Sequence, residues 1–250
     1  MPKSKTHEEL LQTSEQRGRC DNKITNWYEK TGAGVKKNPM SDPTFKRHYI
    51  ESPSHILSIG PTGDGKTNGL YEFLSRKGGN FGRIIIFTGT TEHEHLYDNL
   101  RNKNPSIEFF TNIDELPSFQ NVKEDEFDKD ASNLIVFDDF INLPKKKLNK
   151  MCDWVIAGRK MGFSCYLMTQ NYTDVPTQIR RNISYFFIGR QKDISNLKYI
   201  LKQHSFGMNK DLLMQFYEEA TNEPFSFFMI DTKTLDPHLR FRKNYLGFFL

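Results

Sequence analysis

The chain has 250 residues, of which 36% are hydrophobic and 26% are charged, and this predicts a globular protein with one sizeable domain or a domain plus a small appendage. No apolar run approaches the length that spans a bilayer, and residues 1–13 lack the apolar core of an export signal, so we expect neither a membrane partner nor export. The net charge of +4 is compatible with nucleic acid without demanding it. Three scattered cysteines favour reduced thiols in a cytosolic or nuclear compartment.

Residues 1–54 differ from the rest of the chain in composition. They carry basic and polar residues, together with Pro39, Pro43 and Pro53, and show little apolar periodicity. We predict a short N-terminal arm that lies on the core or on a neighbouring subunit, with a partly disordered tail as the alternative. A single domain is predicted to follow over residues 55–250.

From Ile56 onward, strand-like and helix-like segments alternate, which predicts an α/β fold with a mostly parallel central sheet flanked by helices. The tail, residues 239–245, alternates basic and aromatic residues, so it either grips a nucleic-acid backbone or packs as an edge strand. The predicted strands lie at 55–59, 83–89, 106–111, within 133–140, and at 163–169, 184–188 and 225–231. The predicted helices lie at 68–76, 92–101, 144–158, 194–204 and 209–220, with a short basic helix or turn at 175–182.

The segment Gly60–Thr67, GPTGDGKT, matches the spacing G-x-x-x-x-G-K-[ST] of a phosphate-binding loop. Glycines permit the positive φ angles of a sharp strand-to-helix turn, and backbone N–H groups at the helix N-terminus attract anions. The alternative is a glycine-rich turn before an ordinary helix. We predict that Lys66 reaches the β- and γ-phosphates and that the Thr67 hydroxyl ligates Mg²⁺. The predicted nucleotide-binding set is Gly60, Pro61, Thr62, Gly63, Asp64, Gly65, Lys66, Thr67 and Asn68.

Two carboxylates follow the apolar run Leu134–Phe137, the pattern of a Walker B strand. Asp138 is predicted to bind Mg²⁺ through its water shell, and Asp139 to orient and activate the attacking water. A strand that ends in an Asp-rich turn is the alternative. Gln170, at the tip of the next long strand, is predicted to sense the γ-phosphate, with a simple strand-end cap as its alternative.

The segment 149–153 resembles a guanine-specificity motif. It has one residue too many before Asp153 and no preceding strand, so we favour ATP over GTP as the nucleotide.

Together, the phosphate loop, the Walker B strand and the strand ending in Thr169-Gln170 resemble the FtsK–HerA group of P-loop ATPases. Within that group the chain resembles the genome-packaging ATPases of large DNA viruses, virophages and Polinton-like elements, over roughly residues 56–231. Further support comes from the segment AGRK at 157–160, Val175-Pro176 and the segment IRRN at 179–182. The resemblance implies a P-loop NTPase fold of the RecA-like, ASCE type.

The resemblance also implies a ring, a pentamer or hexamer, with ATP between subunits and an arginine that completes the neighbour's site. Arg159 stands where this finger is expected, with Arg180 or Arg181 in reserve; the alternative for Arg159 is a surface arginine favoured by the helix dipole. One departure is Asp139, where many relatives carry Glu; Asp is shorter by one methylene, so we expect the attacking water to lie in a slightly different position.

The predicted function is therefore that of a Mg²⁺-dependent ATPase that translocates double-stranded DNA into a viral capsid, with capsid vertex proteins as further partners. The implied location is the virus factory in the host-cell cytoplasm, and transiently the virion. The alternatives are a helicase or recombination ATPase, a nucleoside or small-molecule kinase, and a nucleotide-bound regulatory protein. DNA would be held by pore-facing loops with Lys or Arg that contact its phosphates; for the lysines at 145–147, a solvated helix start is favoured over a DNA contact.

Overall fold

The computed structural model describes residue 30 and residues 42–77, 79–89, 95–118, 132–140 and 143–250, and for residues 145 and 146 it describes the backbone alone. Most of the predicted arm lies outside these residues, and the predicted boundary between residues 54 and 55 stays a prediction.

The described residues form one nine-stranded sheet in the order β3-β2-β4-β5-β1-β6-β7-β8-β9. The first six strands along the chain pair in parallel, and the last three pair antiparallel. The prediction of a mostly parallel sheet is therefore confirmed. The strands are β1 (His55–Ile59), β2 (Phe81–Thr88), β3 (Glu108–Phe110), β4 (Ser132–Asp138), β5 (Phe163–Thr169), β6 (Tyr185–Ile188), β7 (Phe228–Asp231), β8 (Phe241–Lys243) and β9 (Gly247–Phe248).

Helices cover both faces of this sheet, because side chains of the buried strands alternate between two apolar clusters. In β4, for example, Ile135 and Phe137 belong to one cluster, and Leu134 and Val136 belong to the other. None of the described helices is long and apolar enough to cross a membrane. The helices are α1 (Lys66–Lys77), α2 (His95–Lys103), α3 (Lys145–Ala157), α4 (Thr177–Arg180), α5 (Ile194–Gln203) and α6 (Lys210–Ala220).

The strand order positions the functional groups. The Walker B strand β4 is not adjacent to β1, which leads into the phosphate loop; β5 lies between them and pairs in parallel with both. The carboxyl ends of all three strands therefore meet at one edge of the sheet, where open α/β sheets bind their ligands. This arrangement agrees with the predicted ASCE type.

Residues 42–54, the described end of the predicted arm, pack on the helix α1. Lys77 is 1% exposed, and its Nζ atom donates a 2.7 Å hydrogen bond to Asp42 Oδ2. Burial alone would raise the pKa of Asp42, but hydrogen bonds from Lys77 and Thr44 outweigh it and lower the pKa to about 2. The buried side chains of His48 and Ile50 belong to the same contact.

The tail of alternating basic and aromatic residues is a packed strand. Arg242 of β8 is fully buried, and its guanidinium lies 2.9 Å from Oδ2 of Asp231 in β7. Tyr245 is also buried and donates a hydrogen bond to the carbonyl oxygen of Gly69. These two side chains are unavailable to a nucleic-acid backbone. The strand β9 pairs with β8, so β8 itself is not the edge of the sheet.

Most predicted boundaries differ from the observed ones by a few residues. The predicted strand 225–231 begins at Phe228, because Phe225 has a φ of +63°, outside the extended region. The predicted helix 92–101 is observed from His95 to Lys103, and residues 92–94 lie outside the described part of the chain.

Candidate nucleotide-binding site

The phosphate loop connects the carboxyl end of β1 to the first residue of α1. Gly63 and Gly65 have φ angles of +83° and +91°, which other residues rarely adopt, so these two glycines make the turn possible. The Nζ atom of Lys66 donates hydrogen bonds to the carbonyl oxygens of Gly60 (2.7 Å) and Pro61 (2.9 Å). Lys66 therefore folds back onto its own loop, and a bound phosphate would replace these carbonyls as its partner.

Three carboxylates set the electrostatic environment of Lys66. Burial lowers the pKa of the Lys66 ammonium, and the negative charges of Asp138, Asp64 and Asp139 oppose that effect. Two of these carboxylates come from the Walker B strand. The loop lysine and the Walker B pair are thus close enough to interact electrostatically, as the sequence motifs predict.

The side chain of Asp64 anchors the loop rather than facing the cleft. It packs so closely between Gly60 and Gly189 that a β-carbon on either glycine would collide with its carboxylate. Burial raises the pKa of Asp64, while the charge of Lys66 and a hydrogen bond from the backbone N–H of Arg190 oppose this. We therefore expect Asp64 to contribute to phosphate binding through its backbone alone.

A cleft of about 390 Å³ lies above the loop, and most of the predicted site residues line it. A cleft of this volume falls in the range of small-molecule sites. Gly60, Pro61 and Asp64 are the members of the predicted loop set that do not line it. The predicted residues that do so are Thr62, Gly63, Gly65, Lys66, Thr67, Asn68, Asp138, Asp139 and Gln170.

The two Walker B carboxylates enter the cleft because the chain bends between them. Strand β4 ends at Asp138, and Asp139 has a φ of +50°, a left-handed conformation that Asp tolerates better than most residues. In a continuing strand, successive side chains would point to opposite faces. With the bend, both carboxylates line the same cleft, and Asp139 is the more exposed of the two.

Gln170 reaches the cleft from the end of β5, the strand between β1 and β4. It follows β5 directly, where Thr169 is in register with Ile59 of β1, and its side chain is exposed. Because β5 lies between β1 and β4, Gln170 follows the strand between those that lead to the loop lysine and to the Walker B carboxylates, and its side chain lines the same cleft.

The lining of the cleft suits Mg²⁺ bound together with a nucleotide. The hydroxyl of Thr67 and the carboxylate of Asp138 both line it, and such oxygen atoms are the ligands that this hard cation takes. Mg²⁺ in phosphate sites keeps waters and uses one or two protein ligands. Within the described ranges, no group of three or more His, Cys, Asp or Glu side chains could hold a metal ion.

Tyr97 is a site residue that sequence reasoning missed. Its hydroxyl donates a 2.6 Å hydrogen bond to Oδ2 of Asp138, from a side chain that is 1% exposed on α2. In the sequence it stands as one apolar position of a helix, and no motif links it to a carboxylate 41 residues later. Phe225, which unlike Tyr97 lines the cleft itself, was missed because no motif links it to the phosphate loop.

Arg159 lies at the opposite edge of the sheet. It follows α3 in the 3-10 helix Gly158–Met161, just before β5 begins, and its side chain is exposed. Burial, and next the positive charge of Arg159, lower the pKa of His55 at the start of β1 to about 4. The seven residues of β5 separate Arg159 from Gln170 by roughly 20 Å. Arg159 is therefore outside the cleft of its own chain.

The reserve arginines lie around another opening. Arg180 and Arg181 line it together with Tyr172 and His204, and neither lines the phosphate cleft. The Arg180 guanidinium lies 5.0 Å from the centroid of the Tyr172 ring and donates a hydrogen bond to Thr177 Oγ1, whereas Arg181 is exposed.

The strand order and the cleft define a P-loop ATPase of the type with an inserted strand between β1 and the Walker B strand. The family described as Poxvirus A32 protein matches residues 43–223, and the chain belongs to that family. The predicted resemblance to viral FtsK–HerA ATPases is thereby confirmed. No curated protein matches the chain significantly.

Solved structures share the fold at low sequence identity. B204, the DNA-packaging ATPase from Sulfolobus turreted icosahedral virus, is 14% identical over 73% of this chain and 94% of its own, with a TM-score of 0.53. The genome-packaging NTPase B204 from Sulfolobus turreted icosahedral virus 2, in complex with AMPPCP, is 12% identical over 73% of this chain and 94% of its own, with a TM-score of 0.51. EssC (ATPases 2 and 3) from Geobacillus thermodenitrificans is 11% identical over 72% of this chain and 38% of its own, with a TM-score of 0.54.

Proposed function

We propose that this chain is the motor subunit of a viral genome-packaging machine, which hydrolyses ATP to translocate double-stranded DNA into a capsid. The observation that carries the proposal is the single cleft that joins the phosphate loop, two Walker B carboxylates and Gln170. Membership of the Poxvirus A32 protein family and the fold shared with a viral DNA-packaging ATPase support it.

The residues of the cleft suit in-line attack of water on the γ-phosphate. Lys66 exchanges its loop carbonyls for the β- and γ-phosphates, where its charge offsets the charge that develops in the transition state. Asp139 accepts a hydrogen bond from the attacking water, and Gln170 donates to the γ-phosphate. Thr67 and Asp138 would hold Mg²⁺, which would supply positive charge to neutralise the phosphates.

Arg159 serves the neighbouring subunit in this proposal. It is exposed, it lies at the far edge of the sheet from its own cleft, and no carboxylate of the described residues forms an ion pair with it. A guanidinium in that position completes a site only across a subunit interface. The proposed assembly is a ring, a pentamer or hexamer, that encircles the duplex and contacts its phosphates without sequence preference.

The proposed setting follows from the packaging role. The subunit works in the cytoplasmic virus factory and binds transiently to the capsid vertex. Lys147 is an unfavourable candidate for the DNA contact, because its Nζ atom already pairs with Asp114 at 2.7 Å.

A helicase-type ATPase and a kinase are the competing functions, and steady-state hydrolysis of ATP distinguishes them from the motor. We expect long double-stranded DNA to stimulate turnover several-fold at low salt, and single-stranded DNA to stimulate it less. A preference for single strands would favour the helicase. Turnover that ignores DNA and responds to a phosphate acceptor would contradict the motor and favour the kinase.

A mixing experiment tests the trans role of Arg159. Lys66→Ala subunits have a defective cleft but can supply Arg159 to a neighbour. Arg159→Ala subunits have an intact cleft but cannot supply the arginine. We expect each variant alone to be inactive and the mixture to regain DNA-stimulated turnover, because some interfaces then contain both groups. A mixture as inactive as its components, in rings of normal size, would contradict a finger at Arg159.

A further inference from the structure

Phe225 is an exposed aromatic side chain at the rim of the nucleotide cleft. It is 62% exposed, although a phenylalanine is usually among the more buried side chains. Its ring rests on the phosphate loop, since a β-carbon on Gly65 would lie 2.6 Å from the Phe225 Cδ1 atom. Of the described residues that line the cleft, it is the one aromatic.

The turn that carries Phe225 has hydrogen-bonded neighbours on both sides. The backbone N–H of Phe227 donates a 3.0 Å hydrogen bond to Asn244 Oδ1, and the Phe227 ring stacks on Phe187 with 4.5 Å between centroids. On the other side, Lys243 Nζ donates 3.0 Å hydrogen bonds to Asn222 Oδ1 and Glu223 Oε1. These contacts hold the residues on either side of Phe225 and do not involve its own ring.

The conformation of Phe225 is unfavourable in the absence of a ligand. A φ of +63° is disfavoured for a bulky residue, and an exposed ring gains little from the hydrophobic effect. A flat aromatic partner placed on the exposed side of the ring would supply the missing burial.

The chemistry of the cleft indicates what that partner is. The loop, Lys66 and the Walker B carboxylates account for a triphosphate and its Mg²⁺, and none of them recognises the nucleoside. Phe225 shares the cleft with Asn68, one residue beyond Thr67, at the start of α1. Aromatic side chains stack on nucleic-acid bases through their π faces, and this contact tolerates any base.

We propose that Phe225 is the stacking platform for the base of the bound nucleoside triphosphate. This inference rests on the proposed function only in requiring that the cleft bind such a nucleotide. It predicts that Phe225 contributes to the affinity for nucleotides and not to the affinity for the triphosphate moiety alone. It also predicts that ATP and GTP depend on Phe225 to a similar extent, because stacking does not read the polar edge of the base.

Calorimetric titration of the full chain with Mg²⁺ and a non-hydrolysable ATP analogue, and with Mg·tripolyphosphate, tests the proposal; the analogue takes the place of ATP in every Kd measured, because the chain would hydrolyse ATP itself during the titration. Phe225→Ala is expected to raise the Kd for ATP roughly 10-fold or more and to change the Kd for tripolyphosphate less than twofold, whereas Phe225→Tyr retains wild-type affinity for both. The matched control is Phe206→Ala, which removes another exposed phenylalanine with a positive φ (+50°) that does not line the cleft. It is expected to change neither value.

Equal weakening of both ligands by Phe225→Ala would overturn the proposal, because the ring would then only support the loop. Unchanged or tighter ATP binding would overturn it as well. If the wild-type chain binds tripolyphosphate and ATP equally tightly, the phosphate site is supported but the stacking of Phe225 on the base is contradicted. A wild-type chain that binds neither ligand contradicts the proposed function itself. As an independent readout, the fluorescence of Phe225→Trp is expected to change with ATP and not with tripolyphosphate; an equal response to both contradicts stacking.

Discussion

The hydroxyl of Tyr97 donates a hydrogen bond of 2.6 Å to Oδ2 of Asp138, the first carboxylate of the Walker B pair. The Tyr97 ring is buried and packs edge-on against Phe109 of β3, with 5.9 Å between centroids. A rigid donor outside the cleft thus holds one oxygen of the carboxylate that we propose as a Mg²⁺ ligand. Partners of this kind orient a ligand and raise its affinity for the metal.

Tyr97→Phe removes the donor and keeps the ring. We expect the Mg²⁺ concentration for half-maximal ATP hydrolysis to rise about 10-fold, as is typical when a metal ligand loses its hydrogen-bond partner. Turnover at saturating Mg²⁺ should fall much less. The measurement is a Mg²⁺ titration of ATPase activity at fixed ATP.

Tyr71→Phe is the matched control for that titration. Tyr71 lies on α1, outside the cleft, and its hydroxyl donates a 3.0 Å hydrogen bond to Asn99 Oδ1. Its removal should leave the Mg²⁺ dependence unchanged. If Tyr97→Phe also leaves it unchanged, the hydrogen bond is structural and does not tune the metal ligand.

Local motifs explain why so much of the site could be predicted from the sequence. The phosphate loop and the Walker B pair are contiguous segments whose chemistry depends on residue spacing. The parallel sheet then brings their ends together without further information. Tyr97 and Phe225 are different, because each contributes one side chain from a helix or turn whose position depends on tertiary packing. Their roles rest on contacts that no local pattern encodes.

The tail, residues 239–245, likewise depends on tertiary contacts that no local pattern encodes. Its alternation of basic and aromatic residues is compatible with DNA binding and with a packed strand, because both use the same residue types. The choice depends on Asp231, the buried partner of Arg242 eleven residues away. Only the pairing of β7 with β8 brings the two together.

Arg242→Met should destabilise the fold. The substitution leaves the buried Asp231 carboxylate without its 2.9 Å partner, and such a loss costs about 3–5 kcal/mol. Urea denaturation measures the change in the free energy of unfolding. Lys243→Met is the control, because its ion pair with Glu223 lies at the surface and contributes about 0–1 kcal/mol. A stable Arg242→Met variant with weakened DNA binding would instead support a nucleic-acid contact by the tail.

His55 should make stability depend on pH. Burial, and then the charge of Arg159, lower its pKa from 6.5 to about 4 in the folded state. Between these values the unfolded chain binds more protons, so stability is complete above about pH 6.5 and falls as the pH decreases towards 4. One such histidine lowers the free energy of unfolding by about 1.5 kcal/mol between pH 6.5 and 5, because at pH 6.5 half of the unfolded imidazoles are already protonated.

Urea denaturation at pH 7.5, 6.5 and 5 tests this dependence. The pKa of His48 is also lowered to about 4, so His48 likewise reduces stability at low pH. His55→Gln should therefore reduce the loss of unfolding free energy at low pH without abolishing it. Arg159→Ala should raise the pKa of His55 in an NMR titration. A pKa of His55 near 6.5 in the wild type would contradict the burial of its imidazole.

The contact between Gly65 and Phe225 can be separated from the backbone requirement at Gly65. Gly63 and Gly65 both have positive φ angles, but a β-carbon on Gly63 meets nothing within 4 Å, whereas one on Gly65 meets the Phe225 ring. We expect Gly63→Ala to weaken tripolyphosphate binding through backbone strain alone, and Gly65→Ala to weaken it considerably more. In the double variant Gly65→Ala with Phe225→Ala, the 2.6 Å contact with Cδ1 is removed and only the contacts with Cβ (3.3 Å) and Cα (3.4 Å) remain, so tripolyphosphate affinity should recover in part towards that of Gly63→Ala while ATP binding remains weak. Equal effects of the two glycine substitutions, with no recovery in the double variant, would show that the ring does not press on the loop in solution.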